Sequence, residues 1–343
     1  MGAFKIVINK ALGVSVTNFM YMFSEDVPGI PASFWAGVVD AGGLDIRFYS
    51  DAALTTELLR EIASFDSVGK TVQAWVQIPT LDVDNAVSIW CSYGGATVAN
   101  STSMWTGIGA EEINHLENNH GADLGGWNSA GKSPAQLYDT IPAASARIGA
   151  GYEFGTDNDT GLGGYRVQAI PFTRSAWVYI TQYPVVDGYM CICIDAIQYS
   201  FLFGITNGDP LSICGGGSGW FISSFSGGAW VGISSGQSFA SQKNSWHHVV
   251  ATCNGTYLRI YVDGNLRGTS SALPAPTPLL NTTYIGKTGT LGMILYGIMD
   301  ELRYFTDAKT GTWIANEYAN QNDPATFSRA YGSDWKPQII SHY

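Results

Sequence analysis

The segment from Asn244 to Gly268, NSWHHVVATCNGTYLRIYVDGNLRG, limits the possible folds most strongly, because it reads as three short strands joined by two tight turns. Asn254-Gly255 and Asp263-Gly264 are dipeptides that accept positive φ at both turn positions, which is typical of two-residue β-hairpins. Side chains alternate between the two faces of a strand. The segment is therefore predicted to form consecutive antiparallel hairpins, with His247 and His248 on opposite faces of one strand.

This alternation bears on whether the histidine pair forms a reactive site. Two side chains that point to opposite sides of a sheet are badly placed to ligate one ion together. We therefore expect His247 and His248 to pack or to hydrogen-bond separately, rather than to bind metal or act as a catalytic pair.

Short strand-like runs extend over most of the chain. The run KTVQAWVQIPTL places Val72, Ala74, Val76 and Ile78 on one face, as in a strand with one buried side. Charged residues make up only 13% of the chain and there are 41 glycines, a composition that suits sheets joined by tight turns. The predicted fold class is all-β with two β domains, the C-terminal one a β-sandwich.

The pattern changes along the chain and predicts its division. We expect an N-terminal β domain over residues 1–96, an irregular polar linker over 97–147, a β-sandwich over 148–327 and a C-terminal tail over 328–343. One helix is expected near the end, in GTWIANEYANQN.

Charge and apolar patterning narrow the partners and the location. The net charge of −11 and the lack of basic runs make nucleic acid and anionic membranes poor partners. The sequence has no run of about 18 apolar residues, so membrane insertion is not expected. The N-terminus does not match a secretory signal.

The five cysteines are odd in number and irregularly spaced, so free thiols and synthesis in a reducing cytoplasm are expected. Cys191 and Cys193 are expected on one face of a strand.

Several segments resemble a known family. SWHHVVATCNGTYLRIYVDGNLRG, YIGKTG and LYGIMDELRYF resemble the hairpins of laminin-G-like domains of the concanavalin A-like lectin/glucanase superfamily, and GYEFGTDNDTGLGGYRVQAIPFTRSAWVYI is similar to its opening strands. The resemblance covers about residues 148–327 and implies a concanavalin A-like jelly-roll β-sandwich there. It departs from the family at Cys253, where an acidic residue is usual, and in the glycine-rich segment 204–237.

The N-terminal half resembles a second family. GGLDIRFYSDAALTTELLREIASFDSVGKTVQAWVQIPTLDVDNAVSIWCSYGG is similar to the domain of unknown function 2341, a β domain often found before laminin-G-like domains. This resemblance implies architecture and no particular chemistry.

Catalytic motifs are missing from the sequence. Glucanases of the superfamily use an E-x-D-x-x-E type of strand that places carboxylates on one face, and this chain has none. In MDELRY, alternation places Asp300 and Glu301 on opposite faces. We therefore predict that the protein is not an enzyme, with a diverged glycoside hydrolase as the lesser alternative.

A calcium site is predicted in GTDNDTG, where Asp157 and Asp159 offer hard oxygen ligands in a turn. The family resemblance suggests Asp300 as a further metal ligand. The alternative is a plain turn rich in Asp and Asn.

A ligand-binding rim is predicted around glycine-rich loops. Tyr189, Trp220, Phe221 and Trp230 lie in or beside them, and exposed aromatic rings present flat faces on which sugars stack. The alternative for each residue is a place in the sandwich core.

These observations lead to a functional hypothesis. We expect a non-enzymatic virion structural or carbohydrate-binding protein of the bacteriophage fibre, spike or decoration type, located on a virion or extracellular surface. Its expected partners are surface glycans, other assembly proteins and copies of itself. The alternative is a bacterial surface adhesin or secreted polysaccharide-binding protein.

Overall fold

A computed structural model shows an antiparallel β protein and confirms the predicted all-β class. The structure describes residues 1–101, 103–115, 136–138, 141–142, 146–155, 161–167, 170–184, 188–195, 201–209, 211–226, 228–274, 280–286 and 293–332. Within these residues, no helix combines the length and the apolarity that a membrane crossing requires.

The strands are short and follow one another closely. They are β1 (Gly2–Ile8), β2 (Val16–Ser24), β3 (Arg47–Tyr49), β4 (Arg60–Asp66), β5 (Thr71–Leu81), β6 (Val87–Tyr93), β7 (Ala110–Asn114), β8 (Gln136–Tyr138), β9 (Ile141–Pro142), β10 (Tyr152–Phe154), β11 (Gly161–Val167), β12 (Phe172–Ile180), β13 (Tyr189–Asp195), β14 (Leu202–Thr206), β15 (Gly219–Ser226), β16 (Ala229–Ser234), β17 (Trp246–Cys253), β18 (Leu258–Val262), β19 (Asn265–Thr269), β20 (Leu280–Ile285), β21 (Gly297–Phe305) and β22 (Ser328–Tyr331). The helices are α1 (Ala32–Gly37), α2 (Ser103–Thr106), α3 (Phe239–Gln242), α4 (Gly311–Asn322) and α5 (Pro324–Phe327).

The chain divides into two compact units that differ from the boundaries expected from the sequence. The first unit combines Met1–Met104 with Thr312–Tyr343, and the second is Trp105–Gly311. The predicted helix forms as α4, but almost all of it belongs to the first unit instead of the sandwich. Part of the expected linker is ordered structure, because β7 pairs with β21.

The first unit holds two sheets. Sheet I has the order β22-β1-β6-β3 and sheet II the order β2-β5-β4. Val72, Ala74, Val76 and Ile78 are all buried, as their alternation along β5 predicts. The chain returns from the C-terminal side to complete sheet I, where β22 pairs antiparallel with β1.

Helix α4 protects an edge of the first unit with carboxamide groups. Asn320 Oδ1 accepts a hydrogen bond from the Met22 backbone N–H at 2.6 Å, and Asn320 Nδ2 donates to the Met22 carbonyl at 3.1 Å. Asn316 bonds the N–H and the carbonyl of Leu12 in the same way. Each carboxamide supplies one donor and one acceptor. Asn320 therefore replaces a neighbouring strand at the edge strand β2, and Asn316 fastens the loop between β1 and β2.

The second unit is a sandwich of two sheets. Sheet III has the order β19-β18-β17-β12-β21-β10-β9, with β7 also paired to β21, and sheet IV has the order β16-β15-β14-β13-β20-β11-β8. The core between them draws inward-facing residues from both sheets, among them Val178, Val249, Met190 and Trp220. A second, smaller apolar cluster lies on the outer face of sheet IV.

One of the two predicted turns forms as expected. Asp263 and Gly264 have φ of 52° and 73° and join β18 directly to β19, as a two-residue hairpin turn requires. The Asn254-Gly255 turn is longer, since β17 ends at Cys253 and β18 begins at Leu258. There the Asn254 side chain accepts hydrogen bonds from two backbone N–H groups, which stabilises a wider loop.

The two neighbouring cysteines of β13 do not share a face. A register shift falls between Cys191 and Cys193. Cys193 therefore joins the inter-sheet core while Cys191 joins the outer cluster. The expected shared face is wrong here, because a bulge adds a residue and breaks the two-residue period. All five cysteines are free and buried, as the spacing predicts.

Candidate functional site

Three of the four aromatic residues predicted to form a binding rim lie inside the domain. Trp220 and Phe221 are 0% exposed and Tyr189 is 1% exposed. Trp220 belongs to the inter-sheet core, where its Nε1 donates a hydrogen bond to Gln242 Oε1 at 2.7 Å. Phe221 and Tyr189 belong to the outer cluster. A buried ring offers no face to a sugar, so we correct the predicted rim for these three residues.

An ordered loop explains why the outer cluster is covered. The loop between β14 and β15 is fastened by the Asp209 carboxylate, which accepts hydrogen bonds from the backbone N–H groups of Ile213, Cys214 and Gly216 at 2.6 to 3.0 Å. Ile213 and Cys214 then pack into the cluster. The glycine-rich CGGGSG sequence is thus part of a fixed cover and not an open binding loop.

Tyr189 anchors this loop. Its hydroxyl donates to Asp209 Oδ1 at 2.5 Å and accepts from the Leu211 N–H at 3.1 Å. Burial and the Asp209 bond raise the pKa of Tyr189. Partial burial opposes ionisation of Asp209, but the hydrogen bonds from Tyr189 and the backbone outweigh it and lower the pKa of that carboxyl. Asp209 is therefore an ionised acceptor at neutral pH.

Trp230 remains at the surface, together with a residue that the sequence reasoning missed. Trp230 on β16 is half-buried, and it contacts Phe225 on β15, with 5.4 Å between ring centroids and 63° between ring planes. Phe225 is 39% exposed. The two residues are directly paired across the hairpin. Alternation from Phe221 places Phe225 on the same face, so the period of β15 was the signal for it.

The aromatic pair of Phe225 and Trp230 rests on a rigid base. Trp230 packs against the outer cluster, as does the half-buried Tyr284 of β20. The turn beyond the pair contains Gly228, which is exposed and has φ of 83°, and a Cβ placed there would meet nothing within 4 Å. The tip of the hairpin beside the aromatic pair is therefore open at Gly228.

The predicted calcium ligands do not come together in the described part of the chain. Asp157 and Asp159 lie outside the described residues. Asp300 is 0% exposed, and its Oδ2 accepts a hydrogen bond from the Ile148 N–H at 2.7 Å. Burial and the neighbouring Glu301 raise its pKa well above the ordinary value, and a protonated carboxyl is a poor calcium ligand. No group of three or more metal-ligating side chains occurs among the described residues.

Asp300 and Glu301 lie on the same face of β21, which corrects the expectation of opposite faces. The pairing register between β12 and β21 shifts at this point, and Glu301 has a φ of 51°. The resulting bulge breaks the alternation. Leu302 then points into the core, while Glu301 turns outward to bond His115 and Arg303.

The second carboxylate belongs to a buried ion network. His115 Nδ1 lies 2.7 Å from Glu301 Oε1, and Arg303 Nη2 lies 2.7 Å from Glu301 Oε2. Burial opposes ionisation of Glu301, but His115 and Arg303 outweigh it and lower its pKa. The network joins the segment around β7 to sheet III. Since Asp300 and Glu301 are 0% and 3% exposed, their carboxyl groups are closed to a polymeric substrate.

The histidine pair behaves as alternation predicts. His248 is buried beside Trp177 on the outer face of sheet III, and burial together with Arg303 lowers its pKa to about 3. His247 lies on the other face, near the Trp220 ring at 6.2 Å, and its Nδ1 is 2.9 Å from Asp263 Oδ2. The prediction of separate packing and hydrogen-bonding roles is confirmed.

Comparison with known proteins accounts for the architecture of the second unit. Residues 154–315 match a laminin-G family model described as the concanavalin A-like lectin/glucanases superfamily. Most of the second unit is therefore similar to this superfamily. No curated protein matches the sequence.

Three solved structures match about 60% of this chain at low sequence identity. The binding domain of Paraclostridial Mosquitocidal Protein 1 is 10% identical with a TM-score of 0.50, over 61% of this chain and 52% of that one. A second match is domain 4 of AbnA, a GH43 extracellular arabinanase from Geobacillus stearothermophilus, in complex with arabinotriose. It is 15% identical with a TM-score of 0.49, over 60% of this chain and 97% of that one. The botulinum neurotoxin type G receptor binding domain is 12% identical with a TM-score of 0.47, over 62% of this chain and 51% of that one.

The first of these similarities, with a TM-score of 0.50, shows a shared fold. The chain spans about half the length of the mosquitocidal protein domain that it matches. At 10% identity the match carries no information on individual ligand-binding residues. Candidate binding residues of the second unit must therefore come from its own surface.

Proposed function

We propose that this protein is a non-enzymatic carbohydrate-binding protein, and that Phe225 and Trp230 contact the glycan. The observation that carries the proposal is an aromatic pair that stays at the surface of a concanavalin A-like domain while neighbouring aromatic residues are buried. Aromatic rings stack on the apolar faces of sugars, and a ring held by packing loses little entropy when a ligand binds.

The buried state of the acidic residues supports a binding role over hydrolysis. Glycosidases need two carboxyl groups that flank a bound sugar. Asp300 and Glu301 are adjacent and on one face, but both lie beneath other residues of the domain. Glu301 is also engaged by His115 and Arg303, so it is not free to act as a nucleophile or a base.

For the biological setting we favour a virion or similar extracellular assembly, such as a phage fibre, spike or decoration protein. Five buried free thiols suit a protein made in a reducing cytoplasm. Assembly proteins and copies of the same chain are the proposed further partners, and residues 1–96 are proposed to be related to the domain of unknown function 2341. A bacterial surface adhesin is the alternative, and capsid, portal or tail genes beside this gene would decide between them.

A direct test of glycan binding uses affinity electrophoresis. The full chain and its W230A and F225A variants would be run in gels containing laminarin, linear arabinan, xylan, dextran or alginate. We expect retardation of the wild type in at least one gel and a roughly tenfold weaker affinity for W230A, which corresponds to about 1.4 kcal/mol. Y257A is the matched control, because Tyr257 is a 37% exposed aromatic residue in the hairpin loop after β17.

Two results would contradict the proposal. If the wild type migrates unchanged in every gel, the protein does not bind these glycans. If W230A and F225A bind as tightly as the wild type, the aromatic pair is not the contact surface. Release of reducing sugar from any of the polysaccharides would overturn the assignment as a non-enzyme.

A further inference from the structure

A second surface of the concanavalin A-like domain has the features of a glycan platform. Trp246 of β17 pairs with Tyr179 of β12, Tyr179 pairs with Ile298 of β21, and Ile298 pairs with Glu153 of β10. These four residues form one straight row across four adjacent strands, which we name the sheet III row. All four side chains are partly exposed.

The row lies on the outer face of sheet III, away from sheet IV. The residues that follow or precede its members, such as Val178, Met299 and Phe154, point into the inter-sheet core. Because side chains alternate along a strand, the members of the row point outward. This surface is therefore on the opposite side of the sandwich from the Phe225–Trp230 pair, which lies on the outer face of sheet IV.

The next row along the strands is fully buried and supports the platform. His248, Trp177 and Asp300 occupy the neighbouring outward positions and are 2%, 1% and 0% exposed. Trp177 contacts His248 with 5.2 Å between ring centroids, and Asp300 is tied to the Ile148 backbone. The exposed row thus runs along the edge of a packed layer, which holds its rings in place.

The chemistry of the row suits a sugar polymer. Trp246 and Tyr179 are in contact, with 5.6 Å between ring centroids and a 55° angle between the rings. Glu153 contributes to the row a carboxylate that can accept hydrogen bonds from hydroxyl groups. Thr181 and Asn244 are exposed two positions from Tyr179 and Trp246 and add polar groups at the rim. Aromatic faces combined with a few polar acceptors are typical of sites that orient a polyhydroxylated ligand.

The dimensions and the charge decide between classes of occupant. Three strand spacings cover roughly 14 Å, which fits a short stretch of a linear polymer. A stable protein partner needs about 800 Å² on each side, more than four half-buried side chains in a single row expose. The carboxylate of Glu153 and the net charge of −11 disfavour polyanions.

We propose that the sheet III row is a second glycan-binding surface, specific for neutral polysaccharides. The inference extends the proposed carbohydrate binding to a separate face, so a single chain would engage two segments of polymer. Two sites on opposite faces of one domain would raise the avidity for a surface coated with repeating glycan.

The test compares W246A and E153Q with W230A, using the full chain. Isothermal titration calorimetry with oligosaccharides of whichever neutral polysaccharide retards the wild type is expected to give two sites for the wild type and one for W246A. W230A is expected to retain the other site. E153Q removes only the charge. We expect it to weaken the affinity of the second site at least threefold without altering the thermal midpoint of unfolding. This variant keeps the test decisive if W246A fails to fold.

Each outcome separates this inference from the function proposed above. If W246A and E153Q titrate like the wild type while W230A binds less tightly, the second surface is refuted and the first stands. If W246A removes binding and W230A does not, the sheet III row is the glycan surface and the Phe225–Trp230 assignment falls. If no neutral polysaccharide binds, or alginate binds in preference to them, the row does not have the proposed specificity.

Discussion

Replacing Tyr189 with phenylalanine tests whether a predicted ligand-contacting residue is instead a structural anchor. The ring lies in the outer cluster, and only the hydroxyl would be removed. That hydroxyl donates to the Asp209 carboxylate at 2.5 Å and accepts from the Leu211 N–H at 3.1 Å. The substitution keeps the apolar packing, so any loss of stability reports on these two hydrogen bonds.

The magnitude follows from the charge and the burial of the partners. A hydrogen bond to a charged group contributes about 1.5–3 kcal/mol. Asp209 is partly exposed, so water replaces some of the lost bond, and we expect Y189F to cost about 1.5 kcal/mol. In a unit of about 200 residues this corresponds to a fall of about 3–6 °C in the melting temperature. D209A removes all four hydrogen bonds of the carboxylate and is expected to cost about 3 kcal/mol.

Urea unfolding followed by tryptophan fluorescence and circular dichroism measures these changes. In the D209A background Y189F should cost much less than in the wild type, with an interaction energy of about 1 kcal/mol in the double-mutant cycle. Glycan affinity should stay within twofold in both variants.

Two observations would refute the reasoning. One is a Y189F variant within about 0.3 kcal/mol of the wild type, judged against the error of such measurements. The other is a large loss of glycan affinity with unchanged stability, which would restore Tyr189 to the binding surface.

Four further outcomes are expected. Because the folded-state pKa of Asp209 is lowered, its contribution is present above about pH 4 and is lost as the pH falls through that folded value, so the stability difference between D209A and the wild type should shrink in acid, as measured by urea unfolding across pH. N320A leaves the N–H and carbonyl of Met22 without partners and should lower the free energy of unfolding by about 2–4 kcal/mol. N265A at the exposed start of β19 removes one solvent-exposed hydrogen bond to the Asp263 carbonyl and should change the free energy of unfolding by less than about 0.5 kcal/mol; equal effects would refute the edge-protecting role. G264A forces a Cβ into a backbone with φ of 73° and should cost about 1–2 kcal/mol in the same assay, and an unchanged midpoint would contradict the turn assignment. A chelator should lower the melting temperature if the predicted calcium site forms, and an unchanged value would count against it.

Features that depend only on neighbouring residues along the chain could be predicted from the sequence. Strand periodicity placed His247 and His248 on opposite faces, the Asp263-Gly264 dipeptide predicted its turn, and the irregular cysteine spacing predicted free thiols. These features follow from backbone geometry over a few residues, and no distant contact has to be known to infer them. The all-β class follows from the same short-range periodicity repeated many times.

Burial of side chains and interruptions of the two-residue strand period became visible only in the three-dimensional fold. Trp220 and Phe221 lie beside glycine-rich segments, as residues of a binding loop often do. Trp220 is nevertheless buried between sheets III and IV, and Phe221 is covered by the loop that Asp209 fastens. The bulge at Glu301 placed two carboxyl groups on one face where strict alternation separates them. His115, which bonds to Glu301, comes from a distant segment of the chain.

The candidate surfaces illustrate the same division. Alternation along β15 places Phe225 on the same face as Phe221, yet only the fold showed that Phe225 lies beside Trp230 and stays exposed while Phe221 does not. The sheet III row joins four strands that are far apart in sequence, and their order depends on long-range pairing. A row of this kind has no signature in the sequence, because the contacts that align it form only when the sheet assembles.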